Sequence, residues 1–264
     1  MGRLRIKLAR FMIWMGDRIQ SFALVVMCPG DLVEFSRQLY ARPIQMAGWS
    51  EAGLLDGGLG SDELRLLEKS PVQSGRLLLL GVGGGREAIP LARRGFQVTG
   101  VDFVPGMMEQ AKAHAAHHGV HLEGLVQEIS KLDVAPDSFD LVWLSVRMYS
   151  CVPTRLRRVE MLRRISEAMR PGGCFICQFA WNPKPQVSPR GWWLRRVFAF
   201  LCWGYRQFEP GDVLWFNAEF VHFFGDKNTL RAEFVEGGFE VLHLEISDAM
   251  GRGGAVLRKK GEYL

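Results

Sequence analysis

The chain has 264 residues, 48% of them hydrophobic, which excludes a disordered chain and suits one large domain or one domain with additions. Its net charge of +5 permits contact with acidic membranes or nucleic acid but requires neither. Among five cysteines only Cys174 and Cys177 have metal-ligand spacing, and on a predicted strand residues three apart face opposite sides. We therefore predict no metal, and a reducing, cytoplasmic location.

Residues 3–27 are predicted to form an amphipathic helix, because apolar residues recur at steps of three and four. Arg3, Lys7, Arg10 and Arg18 fall mostly off this apolar stripe, and Pro29 ends the helix. Two interpretations stay open: packing on its own domain, or lying on a membrane surface or partner. No apolar run is long enough for a spanning helix, and no signal-peptide cleavage site follows.

A second helix is predicted from about Asp31 to Tyr40, followed by a glycine-rich loop over residues 47–60 and a short helix that begins at Ser61. We assign residues 1–70 to an N-terminal helical extension or lid. The remainder, residues 71–264, is assigned to a single α/β domain.

From Arg76 onward, strands and helices alternate, which predicts a doubly wound, mostly parallel sheet. Seven strands are predicted, at residues 77–80, 97–101, 122–126, 139–144, 174–180, 239–246 and 254–258. The intervening helices are predicted at residues 87–94, 105–118, 154–169 and 226–236. An aromatic and basic insertion over about residues 181–225 interrupts this alternation, and its tryptophans and arginines predict a further helix.

A glycine loop follows the first predicted strand, with the sequence Gly-Val-Gly-Gly-Gly at residues 81–85. Such a loop opens a helix whose free N–H groups suit a nucleotide-like ligand. The dinucleotide pattern G-x-G-x-x-G fails because its third glycine would be Arg86. Gly81, Gly83 and Gly85 instead fit G-x-G-x-G, which resembles motif I of class I S-adenosylmethionine-dependent methyltransferases.

Four later segments strengthen this resemblance. Asp102 ends the second strand about 20 residues after the loop, where a carboxylate can accept hydrogen bonds from ribose hydroxyls. Glu128 and Ile129 follow the third strand, where the family often places an acid and an apolar residue. The segment 137–143 resembles the family's D-x-F-D-x-V motif, and residues 170–173 resemble its turn before the fifth strand.

The resemblance implies S-adenosylmethionine as cofactor and an antiparallel last strand in the sheet. It implies cofactor contacts from residues in the loop and at the strand ends: Gly81, Gly83, Gly85, Asp102, Phe103, Met107, Glu128, Ile129 and Ser145. Tyr40, in the N-terminal lid, is a further candidate for a cofactor contact, with a plain packing role as the alternative. One departure is that the position two before the first glycine, often acidic in this family, is Leu79.

The acceptor is expected to be a small molecule that binds at the carboxyl ends of the strands. Tyr149 and His222 are the candidate general bases, and Arg147 is a candidate for binding an acidic group. The modest charge argues against a nucleic-acid substrate, and peripheral membrane contact is considered for the N-terminal helix with residues 190–206. A non-catalytic cofactor-binding protein and a nucleic-acid methyltransferase remain as alternatives.

Overall fold

The computed structural model describes residues 2–49, 57–144, 146–184, 187–215 and 219–261. The helices in these ranges are α1 (Gly2–Val26), α2 (Pro29–Tyr40), α3 (Pro43–Trp49), α4 (Ser61–Lys69), α5 (Ala88–Arg93), α6 (Pro105–His117), α7 (Arg155–Ala168), α8 (Pro189–Leu201) and α9 (Lys227–Glu236). The strands are β1 (Gly75–Leu80), β2 (Phe96–Asp102), β3 (Leu122–Val126), β4 (Phe139–Leu144), β5 (Met169–Ala180), β6 (Asp212–Trp215), β7 (Glu219–His222), β8 (Phe239–Ser247) and β9 (Arg252–Lys259).

Seven of these strands form one sheet in the order β3-β2-β1-β4-β5-β9-β8. Pairs from β3 to β5 are parallel, and β9 runs antiparallel to both of its neighbours. The predicted α/β class, with seven strands and an antiparallel last strand, is confirmed. The chain adds strands on one side of β1, in the order β1, β2 and β3, and then on its other side, beginning with β4. The loops that follow β1 and β4 therefore leave the sheet in different directions and open a crevice at its carboxyl edge.

Both faces of the sheet are buried under helices, which explains the continuous apolar run Leu77–Leu80. Leu78 and Leu80 belong to the core on one face, while Leu77 and Leu79 belong to the core on the other. Cys174 and Cys177 are likewise divided between the two cores. These two thiols therefore cannot bind one metal together, as their strand spacing predicted.

A third, smaller core joins the N-terminal helices to the insertion. Leu24 and Val25 of α1 pack with Ala199 of α8 and with Tyr205 and Phe220. Only the second half of α1 takes part, because every residue from Leu4 to Met15 is exposed. The structure therefore supports packing on the domain for one half of α1 and leaves the other half projecting.

The structure departs from the predicted elements at three places. Residues 43–49 form α3 where the glycine-rich composition predicted a loop from residue 47, since the glycines cluster after Trp49. The α2 helix already begins at Pro29, which is well suited to a first helical position. Residues 212–222 contain a hairpin, β6 and β7, that the aromatic pattern of the insertion did not predict.

Candidate functional site

The glycine loop between β1 and α5 is held against the end of β2. The backbone N–H groups of Gly81 and Val82 donate to the carbonyl of Val101, at 2.8 and 3.0 Å. Gly81, Gly83 and Gly85 all have positive φ, at +77°, +51° and +95°. A side chain at these positions would strain the backbone, so the loop geometry requires glycine.

The loop forms one wall of a cavity of about 1310 Å³ that includes its open mouth. Gly81 and Gly83 line this cavity, whereas Gly85 lies behind it, against the backbone of Ala111. A Cβ on Gly81 would lie 1.9 Å from the sulfur of Met148, which covers the loop from the β4 side. The backbone of the loop and the Met148 side chain therefore border the same end of the cavity.

Asp102 lies at the base of the cavity, at the end of β2. Its carboxylate accepts hydrogen bonds from the backbone N–H groups of Gly83 and Val104, at 3.0 and 2.9 Å. Burial raises the pKa of Asp102, although these backbone donors oppose the shift. Each carboxylate oxygen thus has one backbone donor, and the side chain borders the cavity.

Glu128 and Ile129 line the cavity next to Asp102. The Glu128 carboxylate accepts from the Ser130 hydroxyl and the Arg157 guanidinium and lies 3.2 Å from the ammonium of Lys131. Burial opposes ionisation, but these partners hold the pKa of Glu128 below its usual value. Glu128 is therefore a fixed, ionised acceptor at the cavity wall.

Aromatic and apolar side chains form the opposite wall, and they come partly from the N-terminal helices. Tyr40 of α2 and Trp49 of α3 line the cavity with Phe103 and Met107. The Tyr40 ring lies 6.4 Å from both the Phe103 and Trp49 rings. The structure thus brings Gly81, Gly83, Asp102, Phe103, Met107, Glu128, Ile129 and Tyr40 to one cavity, while Ser145 lies outside the described residues.

Tyr149 does not reach this cavity, so the structure gives it a packing role in place of the catalytic role considered from the sequence. It is fully buried, and its hydroxyl donates to Glu233 at 2.8 Å. Arg158, also fully buried, binds Glu233 through two contacts, at 3.0 and 2.8 Å. Burial and the neighbouring Glu233 raise the pKa of Tyr149 well above its usual value. Such a phenol is a poor proton acceptor at neutral pH.

His222 also lies away from the cavity, in the β6–β7 hairpin. Its Nδ1 is 2.7 Å from the carboxylate of Asp212, and its ring contacts Phe224 edge-on at 4.6 Å. Glu209 completes a group of three possible metal ligands within 4.8 Å of one another. The guanidinium of Arg158 lies 2.9 Å from Glu209, so one carboxylate of this group already has a cationic partner. We therefore assign His222 to a buried hydrogen-bonded network in the hairpin.

Leu79, which stands at the usually acidic position, is completely buried in the core and contributes nothing to the cavity. Two other acids line the cavity instead, Glu87 and Glu219. Glu87 pairs with Arg86, while Glu219 enters from β7 in the insertion. No local motif marks Glu219, because it is brought to the site by a hairpin 117 residues after Asp102.

Comparisons with known proteins agree with this architecture. The family model of a methyltransferase domain matches residues 77–173. The ubiquinone biosynthesis O-methyltransferase of Methylobacterium sp. (strain 4-46) is 36% identical over 110 residues, 42% of this chain and 43% of that protein. The protein of that name from Ruegeria pomeroyi is 32% identical over 134 residues, half of each chain. The chain thus matches about half the length of these relatives or less.

Solved structures show the same fold across more of the chain. An S-adenosylmethionine-dependent methyltransferase from Mesorhizobium loti aligns with 78% of this chain and all of its own, with a TM-score of 0.56 and 20% identity. One from Clostridium acetobutylicum aligns with 85% of this chain and 97% of its own, with a TM-score of 0.56 and 14% identity.

Proposed function

We propose that the protein uses S-adenosylmethionine to methylate an oxygen of a small, apolar molecule, because residues 77–173 match a methyltransferase domain and the chain shares the fold of such enzymes. The observation that carries the proposal is one cavity in which the glycine loop, Asp102 and Glu128 share space with a second polar group around Glu219. The glycine loop, Asp102 and Glu128 suit a nucleoside that carries an amino acid chain. The polar group around Glu219 is then available to bind the acceptor.

The residues present fit this cofactor. The open space beside Gly83, where a Cβ would meet no atom within 4 Å, leaves room for a ligand against the backbone. We propose that Asp102 binds the ribose hydroxyls, while Ile129 packs on the adenine ring and Glu128 accepts from its amino group. Phe103, Met107 and Tyr40 would close the apolar side. The bound cofactor supplies a methyl group on a positively charged sulfur, which leaves as a neutral thioether.

The protein's own contribution is to align the acceptor and exclude water. We propose that residues 1–70 act as a lid, because Val33, Ser36 and Tyr40 of α2 and Trp49 of α3 lie along the cavity. An oxygen acceptor is supported by the curated relatives, which are named O-methyltransferases. The side chains of Val33 and Trp49 favour an acceptor with an apolar part.

We further propose that the protein binds an anionic membrane surface and takes an apolar acceptor from it. The apolar residues on the first half of α1 are exposed: Leu4, Ile6, Leu8, Phe11, Met12, Ile13, Trp14 and Met15. The neighbouring α8 exposes Trp193, Leu194, Phe200 and Leu201, followed by Trp203. The two helices are joined through Phe22 and Phe198, whose rings meet at 5.4 Å.

The charge of α1 and α8 favours an anionic lipid surface as the partner of their exposed apolar residues. Residues 2–16 and 187–208 contain several lysines and arginines but no aspartate or glutamate. Basic groups beside exposed aromatic and aliphatic side chains are typical of helices that lie in an anionic interface. Among the described residues, no helix is long and apolar enough to cross a membrane.

Two measurements test the proposed methyl transfer. Calorimetry with S-adenosylmethionine tests cofactor binding, and transfer of a radiolabelled methyl group to a cell extract, separated into lipid, small-molecule and polymer fractions, identifies the acceptor class. We expect binding and label in the lipid or small-molecule fraction. Absence of cofactor binding, or label in nucleic acid alone, would contradict the proposal.

Flotation with phosphatidylcholine vesicles, with and without phosphatidylglycerol, tests the proposed membrane surface. Failure of the protein to float with either type of vesicle would contradict that proposal.

A further inference from the structure

A second polar cluster lies in the cavity beside the residues assigned to the cofactor, and Tyr40 borders both. It consists of Tyr40 of α2, Arg147 and Cys151 after β4, and Glu219 of β7. Glu219 is its centre, since its carboxylate accepts from the Tyr40 hydroxyl at 2.7 Å and from the Cys151 thiol at 3.3 Å. The guanidinium of Arg147 lies 3.4 Å from the other carboxylate oxygen.

The cluster lies next to the glycine loop, because Arg147 and Cys151 belong to the segment that packs on this loop. Arg147 immediately precedes Met148, whose sulfur covers Gly81. The loops after β1 and β4 are neighbours in the sheet, with Leu80 paired to Leu144. The cluster therefore lies at the part of the cavity where, on the proposed function, the methyl group would be offered.

Four carboxylates line the cavity in the part of the chain that the structure describes, and three of them have other tasks. Glu87 pairs with Arg86, and Glu128 pairs with Arg157. Asp102 accepts from two backbone N–H groups. Glu219 differs because two of its three partners are neutral side-chain donors that border the open cavity. An incoming hydroxyl can replace either of them.

The neighbours of Glu219 are not themselves proton acceptors. Burial, followed by the charge of Glu219, raises the pKa of Tyr40 and raises that of Cys151 well above its usual value. Both side chains are therefore protonated donors at neutral pH. The guanidinium of Arg147 has hydrogen-bond donors but no acceptor. The carboxylate of Glu219 is thus the one proton acceptor of this cluster.

We propose that Glu219 is the general base of the reaction and that its substrate is a phenolic hydroxyl, an inference that rests on the proposed function. The proton of the acceptor O–H passes to the Glu219 carboxylate, and an oxygen lone pair forms the new O–CH₃ bond. When bound, the cofactor would supply that methyl group, and the electron pair of the broken C–S bond would remain on its sulfur. Glu219 then releases the proton to water.

The phenolic class follows from acidity and from shape. A carboxylate is a weak base, and its pKa lies about six units below that of a phenol but about eleven below that of water or an alcohol. Proton transfer is most effective when the two values are close. The neighbouring aromatic rings of Tyr40 and Trp49 also provide apolar surface for an aromatic acceptor.

The test uses two phenols that differ in acidity, catechol and 4-nitrocatechol, with radiolabelled S-adenosylmethionine. Catechol needs a base at neutral pH, whereas 4-nitrocatechol is largely ionised already. We expect E219Q to slow transfer to catechol by about 10² to 10⁴-fold, the usual range for a general base, and transfer to 4-nitrocatechol by less than about tenfold. The matched control is E240Q on β8. It removes a carboxylate that is distant from the cavity lining and is paired with Arg258 of β9.

A second readout needs no turnover. With S-adenosylhomocysteine bound, an ionised 4-nitrocatechol beside the Glu219 carboxylate would bring two negative charges together, so the wild-type complex should take up about one proton. Calorimetry in two buffers of different ionisation enthalpy measures this uptake. E219Q should bind 4-nitrocatechol with no proton uptake, and E240Q should behave as the wild type.

Three results would overturn the inference. Equal loss of transfer to both phenols in E219Q would mean that Glu219 only positions the acceptor. Loss of S-adenosylmethionine affinity in E219Q would mean that Glu219 binds the cofactor, in place of the acid absent at Leu79. Transfer by the wild type to an extract fraction but to neither phenol would reject the acceptor class while leaving methyl transfer intact. Absence of transfer to every acceptor would reject the proposed function itself.

Discussion

The backbone N–H of Gly83 donates a hydrogen bond to the carboxylate of Asp102 at 3.0 Å, joining the loop after β1 to the end of β2. Nineteen residues separate these two positions in the chain. The contact fixes the loop on the same carboxylate that we assign to the ribose. Loop geometry and cofactor recognition therefore depend on one side chain.

Replacing Asp102 by asparagine should weaken cofactor binding. The variant keeps the size of the side chain but loses the negative charge and one accepting oxygen. Hydrogen bonds to a charged group contribute about 1.5–3 kcal/mol, so we expect affinity for S-adenosylmethionine to fall by about 10 to 100-fold. Calorimetry measures this, with D133N as a control at an exposed carboxylate. Unchanged affinity in D102N would contradict the ribose assignment.

The pH dependence of cofactor binding should also report Asp102. Its folded pKa is raised above 3.8 by burial, and the ionised form is the one that accepts from ribose hydroxyls. Affinity should therefore be full near neutral pH and should fall as the pH decreases through that raised value. The D102N variant should lack this part of the pH profile. An identical profile in both proteins would assign the dependence to another group.

Gly83→Ala and Gly119→Ala form a matched pair for the glycine loop. Both glycines have positive φ, +51° and +69°, and neither would place a Cβ within 4 Å of another atom. Each substitution should therefore cost about 1–2 kcal/mol of unfolding free energy through backbone strain alone. Only G83A should also weaken cofactor binding, because Gly83 borders the cavity. Thermal unfolding and calorimetry distinguish the two effects, and equal cofactor affinities would contradict the site.

Tyr149→Phe should lower stability without affecting methyl transfer. The variant removes a buried hydrogen bond to Glu233, which should cost about 1–3 kcal/mol because the carboxylate loses one donor. Arg158→Met should cost more, about 3–5 kcal/mol, since it leaves Glu233 without its cation. Denaturant unfolding measures both. Loss of transfer in Y149F at unchanged stability would restore the catalytic role considered from the sequence.

The contributions of charge and of apolar side chains to the proposed membrane binding can be measured separately. Reversing Arg5, Lys7 and Arg10 to glutamate should remove binding to phosphatidylglycerol vesicles, because each basic residue near the surface contributes about 1 kcal/mol. Replacing the exposed Phe11 and Trp14 by serine should weaken binding even at high salt. The control is L156S, an exposed leucine on α7. Unaltered flotation of both α1 variants would contradict the proposed surface.

Much of the fold could be predicted because its signals are local. The boundaries of β3 and β4 were predicted to the residue, since apolar runs bounded by turns define them. The glycine spacing and Asp102 likewise stand at strand ends, where βα geometry is repetitive. The β6–β7 hairpin escaped prediction, because it is short and lies within an aromatic segment that lacks alternation.

The site could be predicted only on the cofactor side. Tyr149 and His222 were considered because a tyrosine and a histidine are chemically suited to take a proton, but burial and ion pairs decide whether they can. Arg158 and Glu233 hold Tyr149 in the core, and Asp212 holds His222 in the hairpin. These partners are distant in sequence, so no local pattern reveals them.

The sequence by itself determined the class of sheet, the glycine loop and the carboxylates at its strand ends, because each depends on residues close together in the chain. Only the tertiary structure brought Tyr40, Arg147 and Glu219 to one cavity, from a helix before the sheet, a loop after β4 and a hairpin near residue 219. Packing between distant segments made that choice, since it decides which polar groups remain facing a cavity and which become buried partners of one another.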